Sequence, residues 1–200
     1  MNAKAWLAVL AIGALAGCAQ MAKVEPGQIT IKDELRVTAA IPWNRFELAG
    51  MFTLSVAPGA SEVWTQEGIT LDALAFFVGV QDGQKLGAEM PGAQKTLPLY
   101  RKAMSPNEIV ELYEQMVTQD GSSFTLSRIA PAQFGGQPGF RFEYTVARKG
   151  DSVLLKGIAL GAVVRDKLYL AAYTAPAVYF FDKHLPHVRT LVATAAIRAP

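Results

Sequence analysis

The stretch that decides the fold is residues 139–146, Gly139-Phe140-Arg141-Phe142-Glu143-Tyr144-Thr145-Val146. Its apolar side chains alternate with charged or hydroxylated ones at every second position. Because side chains of a β-strand point alternately to opposite faces of the sheet, this spacing predicts a strand with one buried face. Arg141 and Glu143 are then expected on the polar face, opposite the core.

Two further strands follow residues 139–146 through short turns. Lys149-Gly150-Asp151 and Arg165-Asp166-Lys167 have turn composition, and they precede the apolar runs Val153–Val164 and Leu168–Thr174. Strands joined by connections this short run antiparallel. Both runs are apolar on each face, which predicts central strands that are covered on both sides.

The rest of the chain adds strand-like segments and one irregular segment. Strands are predicted at Ile29–Lys32, Leu35–Ala40, Met51–Val56, Ala73–Val80 and Phe124–Ile129. Lys85–Met104 contains several glycines and prolines and shows no periodicity. A loop of that length is either functional or a meandering connection, here held by Leu97, Leu99 and Tyr100, and the connection is the favoured interpretation.

A first helix is predicted directly after this irregular segment. Ser105 and Glu108 form a capping box, with Pro106 at the first helical position. The apolar positions recur with helical spacing: Ile109, Val110, Leu112, Tyr113, Met116 and Val117. Gly121 is expected to end the helix.

A second helix is predicted at the C-terminal end, from Pro176 and Ala177 toward Ile197. Its apolar side is expected to consist of Tyr179, Phe180, Leu185, Val188, Leu191 and Val192. Pro186 should kink or restart this helix, because proline lacks the N–H that a helix interior needs.

Together these segments predict a single α+β domain over residues 29–200, with a mainly antiparallel sheet of six to seven strands packed by two principal helices. Residues 64–72 (Trp64-Thr65-Gln66-Glu67-Gly68-Ile69-Thr70-Leu71-Asp72), 139–144 and 168–176 resemble recurring features of the PsbP-like sandwich. The order of elements is similar to that fold as well. The resemblance implies a domain whose characterised relatives are mainly non-catalytic, although fold by itself is a weak guide to function.

The N-terminal segment resembles the signal of a bacterial lipoprotein. A short cationic start and an apolar stretch precede Leu15-Ala16-Gly17-Cys18, which is similar to a lipobox. The resemblance implies that residues 1–17 are removed, that Cys18 is lipidated and that residues 18–28 form a lipidated tether. Ala19, in place of an aspartate, implies an outer-membrane location facing the periplasm. The alternatives are an ordinary signal peptide with an incidental cysteine, or a short amphipathic anchor.

Composition excludes several classes of function. The 200-residue chain has 19 Lys and Arg against 17 Asp and Glu, a formal charge of +2, without a basic stripe. It therefore lacks the footprint of a nucleic-acid-binding protein. Cys18 is the only cysteine, so the chain offers no disulfide and no cysteine redox pair. Gly-x-Ser-x-Gly and phosphate-loop motifs are absent, and we expect no catalytic residue and no cofactor.

Two polar sets remain as candidates for a site. His184 and His187 lie three residues apart on the predicted helix, near Asp182, which is a possible spacing for metal ligands. Two surface histidines are more often merely solvated, and we expect no metal. Arg141 and Glu143 form either a salt bridge or a recognition surface on the open side of the sheet, and the salt bridge is favoured.

Aromatic residues are numerous, and most of them are expected in the core. A surplus could line an apolar pocket between the sheet and the C-terminal helix, with Phe76, Phe77 and Tyr173 as its lining. The leading hypothesis is a non-catalytic accessory lipoprotein that is bound to the membrane through Cys18 and to another envelope protein. The alternative is a binding module for a lipid or another hydrophobic ligand.

Overall fold

The structure is a computed structural model that describes residues 21–46, 57–90, 96–151 and 153–198. The predicted signal peptide of residues 1–17, Cys18 and the predicted strand Met51–Val56 lie outside the described residues. Within the described ranges, no helix is long and apolar enough to cross a membrane.

The described residues form two antiparallel sheets and two helices. The strands are β1 (Met21–Val24), β2 (Gly27–Ile31), β3 (Leu35–Ala39), β4 (Trp43–Phe46), β5 (Glu62–Thr65), β6 (Ala73–Val80), β7 (Ser123–Phe134), β8 (Gln137–Ala147), β9 (Leu154–Val164), β10 (Lys167–Pro176) and β11 (Ala196–Ile197). The helices are α1 (Pro106–Val117) and α2 (Phe180–Ala193). The large sheet has eight strands in the order β1-β4-β5-β6-β10-β9-β8-β7, and the small sheet has the order β11-β3-β2. The predicted α+β class is confirmed.

The strand count differs from the predicted six to seven. β1 and β4 are short and mixed in polarity, yet they pair from Met21 and Phe46 to Val24 and Trp43. Main-chain hydrogen bonds between distant segments create such strands, so the side-chain pattern does not reveal them. The tether predicted over residues 18–28 therefore belongs to the sheets from Met21 onward, through β1 and the start of β2.

The large sheet is covered on both faces, as predicted for its central strands. β6 and β10 are buried along almost their whole length. One face packs against α1, and the other packs against α2 and the small sheet. Because neighbours along a strand point to opposite faces, Phe77 belongs to the core under α1 and Phe76 to the core under α2.

Helix α1 begins where the sequence predicts. The Glu108 N–H donates to Ser105 Oγ at 3.4 Å, and the Ser105 N–H donates to Glu108 Oε2 at 2.7 Å. All six predicted apolar residues of this helix are buried. The helix ends earlier than predicted, with Thr118 as its C-cap, because Gly121 instead closes the next turn on the Thr118 carbonyl.

Helix α2 begins later than predicted, because the chain first makes a tight turn. Pro176 is the last residue of β10. Tyr179 has φ +75° and ψ −60°, and the Phe180 N–H donates to the Val178 carbonyl at 3.0 Å. These values describe a γ-turn of the strained kind with positive φ. Tyr179 is therefore exposed, and its predicted place on the apolar side of the helix is wrong.

The buried side of α2 agrees with most of the prediction, since Phe180 and Leu185 are partly buried against the core. Phe181 and His184 are buried, together with the predicted Val188, Leu191 and Val192. The helix continues through Pro186, so the proline neither ends nor restarts it. It stops at Ala193 rather than Ile197, since the chain then forms β11 against β3.

The irregular segment Lys85–Met104 is held at its described parts. Leu97 and Tyr100 are buried, as the connection interpretation predicts. Leu99 is 39% exposed and forms an isolated bridge with Lys85. Leu99 therefore holds the segment through main-chain pairing and not through burial of its side chain.

The ring and the hydroxyl of Tyr144 connect the centre of the large sheet to α1. Gly157 pairs with Tyr144, and a Cβ added to Gly157 would lie 2.0 Å from Tyr144 Cζ. The Tyr144 ring therefore covers a position that has no room for a side chain. Its hydroxyl lies 2.6 Å from the Tyr113 hydroxyl on α1 and 2.7 Å from the Thr174 hydroxyl on β10.

Candidate functional site

Three hairpin turns lie around one cleft at the end of the molecule: β2–β3, β7–β8 and β9–β10. Lys32-Asp33 has φ values of +48° and +57°, Gly135-Gly136 has +64° and +77°, and Arg165-Asp166 has +49° and +65°. Two successive residues with positive φ are the mark of a type I′ turn, in which glycine, asparagine and aspartate are favoured. Two of these turns thus hold a long cationic side chain where glycine would cause less strain.

The cleft has a volume of about 490 Å³. Its lining consists of Lys32, Asp33, Glu34, Gln137, Val164, Arg165, Lys167, Tyr169, Ile197 and Arg198. Four of these side chains are cationic and two are carboxylates. The cleft is therefore a polar site with an excess of positive charge.

Glu34 is the half-buried anchor at the base of this site. Its Oε2 accepts hydrogen bonds from Tyr169 Oη at 2.5 Å and from Lys167 Nζ at 3.0 Å. The carboxylate lies over Gly79, where an added Cβ would be 2.9 Å from Glu34 Oε1. The Tyr169 hydroxyl, then Lys167 and Lys32, hold the pKa of Glu34 below its usual value against the opposing effect of burial. Glu34 is therefore ionised at neutral pH, and its charge is matched by Lys167.

Three cations of the cleft remain open. Within the described part of the chain, Lys32, Arg165 and Arg198 form no ion pair with a carboxylate. Neighbouring charges at the same end are paired: Lys102 Nζ lies 2.9 Å from Asp166 Oδ2. The excess positive charge of the cleft is therefore carried by these three side chains, and the exposed Asp33 carboxylate offsets one of their charges.

The turns store backbone strain at the positions of two open cations. A non-glycine residue in the left-handed region costs roughly 1 kcal/mol or more, less for aspartate and asparagine. The chain uses Gly135-Gly136 in the third turn of the same end, where no such cost arises. Strained residues of this kind cluster at functional sites. The placement of Lys32 and Arg165 therefore points to binding rather than to stability.

The open cations suit an anionic ligand. A guanidinium group presents a planar fork of donors that matches a carboxylate or phosphate, and an ammonium group acts as a point charge. Gln137 adds an amide to the rim of the cleft. This arrangement can bind and orient an anion.

Residues 64–72, which resemble the fold family, run from the end of β5 into a loop that is organised by one buried carboxylate. Asp72 is 1% exposed. Its Oδ1 accepts from Thr65 Oγ1 at 2.6 Å and from the Glu67 N–H at 2.7 Å, and its Oδ2 accepts from the Gln66 N–H at 2.8 Å. The role of Asp72 is thus to hold the loop backbone.

The same loop places Glu67 against helix α2. Glu67 Oε1 accepts a hydrogen bond from Lys183 and lies 3.0 Å from His184 Nε2. The contacts with Lys183 and then His184 hold the pKa of Glu67 below its usual value. His184 is buried, and its Nδ1 has no hydrogen-bond partner among the residues that the structure describes.

His184 and His187 do not form one site, because His184 packs against Glu67. His184 turns its Nε2 to Glu67, whereas His187 is exposed and its ring centre lies 6.3 Å from that of His184. Asp182 is exposed in the first turn of α2. Within the described ranges, no group of three or more His, Cys, Asp or Glu side chains is arranged to hold a metal.

Arg141 and Glu143 lie on the polar face of β8, as predicted. Arg141 Nη2 is 3.6 Å from Glu143 Oε1, and both side chains are about one third exposed. This geometry agrees with the salt bridge that the sequence analysis favoured over a recognition surface. A partly exposed pair of this kind contributes little to stability.

The predicted lining of an apolar pocket does not come together. Phe76 and Phe77 lie on opposite faces of the large sheet, so they cannot line one cavity. Tyr173 lies on the Phe76 side and stacks on Phe181, with ring centres 5.6 Å apart. Adjacent positions of one strand always separate in this way, which the pocket hypothesis overlooked.

Sequence reasoning missed the cationic cleft. The turn composition of Arg165-Asp166-Lys167 predicts a turn there, but it does not show that Arg165 and Asp166 adopt positive φ. The signal in the sequence was the composition of two hairpin turns. Lys32-Asp33 and Arg165-Asp166 each stand between apolar strands, at positions where Asn-Gly is typical. Nothing in the sequence indicated that the two turns meet.

Comparison with solved structures identifies the architecture. The solution structure of cyanobacterial PsbP (CyanoP) from Synechocystis matches with a TM-score of 0.52 and 16% identity, over 94% of this chain and 99% of that one. The fold is PsbP-like. The PsbP-like sandwich predicted from residues 64–72, 139–144 and 168–176 is thereby confirmed as a fold.

Two further structures are more distant from this PsbP-like chain. A protein from Bacteroides thetaiotaomicron has a TM-score of 0.47 and 9% identity, over 88% of this chain and 50% of that one. LpqN of Mycobacterium tuberculosis, described as involved in cell envelope biogenesis, has a TM-score of 0.35 and 12% identity, over 92% and 88%. No protein-family model and no curated protein sequence matches the chain.

Proposed function

We propose that this protein is a non-catalytic accessory module of the bacterial cell envelope. Lipidation of Cys18 anchors it to the outer membrane, with the domain facing the periplasm. The cationic cleft is its recognition site for an anionic component of the envelope. The observation that carries the proposal is the set of three open cations, Lys32, Arg165 and Arg198, around one cleft.

The sequence before the domain supports the anchor. Leu15-Ala16-Gly17-Cys18 resembles a lipobox and holds the only cysteine of the chain. β1 starts at Met21, three positions after Cys18. A short connection confines the domain to a thin layer at the membrane and raises its effective concentration there.

The chemistry of the cleft supports binding rather than catalysis. A general acid in a cleft needs a raised carboxyl pKa, so that it stays protonated near neutral pH. The pKa of Glu34 is shifted the other way, chiefly by the Tyr169 hydroxyl and by Lys167. The carboxylate therefore positions Lys167 and Tyr169 and leaves the outer cations to meet a ligand.

Lipidation is tested by the mass and location of the mature protein in its own cell envelope. The wild-type chain should begin at Cys18 and carry acyl chains, whereas Cys18→Ser should accumulate as an uncut precursor. Normal cleavage before residue 18 in that variant would overturn the anchor.

Recognition is tested by photo-crosslinking in intact cells. A crosslinking residue at Gln133, an exposed position beside the β7–β8 turn, samples the cleft end. The control position is Glu111, on the exposed side of α1. A reproducible adduct from Gln133 that depends on Arg165 and Cys18 supports recognition at the cleft. Equal adducts from both positions would overturn it.

A further inference from the structure

β1 begins near the middle of the large sheet and runs away from the cleft end. Met21 pairs with Phe46, and Phe46 pairs with Val63. Val63 stands opposite Ala75, and Ala75 stands opposite Ala172, so Met21 lies at the register of Ala172. From there β1 runs toward the register of the C-terminal end of β10. The start of β1 is therefore its end nearer to the β9–β10 turn.

The distances allow the anchor and the cleft to reach one surface. Lys167, where β10 begins, is five residues from Ala172, or about 17 Å along the strand. Four strand spacings separate β1 from β10, about 19 Å across the sheet. Cys18 precedes Met21 by three residues, which span at most about 11 Å. The exposed Val178 lies beyond the opposite end of β10, where Pro176 is four residues from Ala172, or about 14 Å. Both ends are therefore within similar reach of the anchor, and their charges select the cleft end.

The charges at the cleft end fit a phospholipid surface. Lys32 and Arg165 are exposed on hairpin turns, and the exposed Arg198 lines the same cleft. A phosphodiester headgroup supplies a negative charge and acceptor oxygens for such groups. The two turns present their cations outward despite the backbone strain at both positions.

We infer that the cleft binds the phosphate groups of anionic lipid headgroups in the membrane that carries the Cys18 anchor. This contact holds the cleft end of the domain against the membrane and turns Val178 and Tyr179 away from it. The inference rests on the proposed anchor, and it gives the anionic component a chemical class. Each cation near an anionic surface contributes about a fivefold gain in association, and salt screens that gain.

The test uses the lipidated mature protein in vesicles. Because lipidation blocks Cys18, a single introduced cysteine is the only free thiol. Gln133→Cys places a fluorophore beside the cleft end, and Val178→Cys places it at the opposite end. Lipids with a spin-labelled headgroup quench a fluorophore that touches the membrane. Vesicles of phosphatidylcholine are compared with vesicles that also contain phosphatidylglycerol.

Quenching at Gln133→Cys should exceed quenching at Val178→Cys when phosphatidylglycerol is present. The excess should disappear in phosphatidylcholine vesicles, in high salt, and in the Lys32→Asn/Arg165→Asn variant. Asparagine tolerates the positive φ of both turns, so that variant keeps the fold. The matched control Lys149→Asn/Arg189→Asn removes the same charge from other exposed positions and should keep the excess.

Other outcomes overturn the inference in separable ways. Flotation with phosphatidylcholine vesicles, which offer the cleft no anionic headgroup, reports the anchor by itself, so failure to float with them refutes the proposed anchor. A protein that floats but shows equal quenching at both positions refutes only the membrane contact. Fluorescence at Gln133→Cys that responds to inorganic phosphate and not to phosphatidylglycerol would identify a free anion as the ligand. A protein adduct at Gln133 in cells, with no lipid-dependent quenching, would assign the cleft to a protein partner.

Discussion

Replacing Asp72 by asparagine tests the account of the loop at residues 64–72. The side chain keeps its size but loses its charge and one of its two acceptor oxygens. Asp72 Oδ1 accepts two hydrogen bonds and Oδ2 accepts one. The introduced amide does best with its oxygen at the Oδ1 position, and its NH₂ group then faces the Gln66 N–H as a donor against a donor.

The expected cost follows from these three contacts. Losing a charged hydrogen bond and leaving a partly buried N–H without a partner costs about 1.5–3 kcal/mol. The two remaining bonds lose their charge assistance, at roughly half a kcal/mol each. Relief from burying the charge offsets part of this sum. We therefore expect the free energy of unfolding to fall by about 2–4 kcal/mol.

Urea unfolding followed by tryptophan fluorescence measures this change, since Trp64 is buried beside the loop. Asp33→Asn is the matched control, because Asp33 is exposed in a turn and makes no side-chain hydrogen bond within the described residues. Its effect should stay within about 0.5 kcal/mol. If Asp72→Asn and Asp33→Asn shift the midpoint equally, Asp72 does not hold the loop as argued.

Three further outcomes are expected. Lys32→Asn/Arg165→Asn should leave the free energy of unfolding unchanged or raise it by up to about 1 kcal/mol, because asparagine relieves the positive φ. A clear loss in urea titrations would mean that these side chains pack rather than bind. Gly157→Ala should lower it by more than about 2 kcal/mol through the clash with Tyr144, and an unchanged midpoint would contradict that packing. Burial raises the pKa of Tyr113 to about 12, so the unfolded state ionises first. Stability should therefore fall as pH rises above about 10, and the Tyr113→Phe variant should show a shallower fall in alkaline unfolding curves.

Features that depend on neighbouring residues were predictable. The period of two in residues 139–146 reports a strand with one buried face, and the structure buries Phe140, Phe142, Tyr144 and Val146. Ser105 and Glu108 cap α1 because the cap is formed within three residues. The burial of both faces over most of β9 and β10 likewise follows from their predominantly apolar composition.

The errors concern elements whose partners are distant. The sequence of Met21–Val24 is typical of a tether, yet this segment pairs with β4 as an edge strand. An edge strand forms through its neighbour and does not need an alternating side-chain pattern. The predicted second helix is too long at both ends, because apolar spacing continues where the chain has already turned to other partners. Phe76 and Phe77 were grouped by type, although neighbours along a strand face opposite ways.

Element order, the α+β class, the cap of α1 and the resemblance to a lipoprotein signal were therefore present in the amino-acid order, since each rests on contacts or motifs a few residues long. The cleft was not. Tyr169 donates to Glu34 across 135 residues of chain, and Arg165 meets Lys32 only after two separate sheets have packed. Charge pairing between such distant residues depends on which strands become neighbours. The long-range packing of the sheets therefore leaves Lys32, Arg165 and Arg198 open to a ligand.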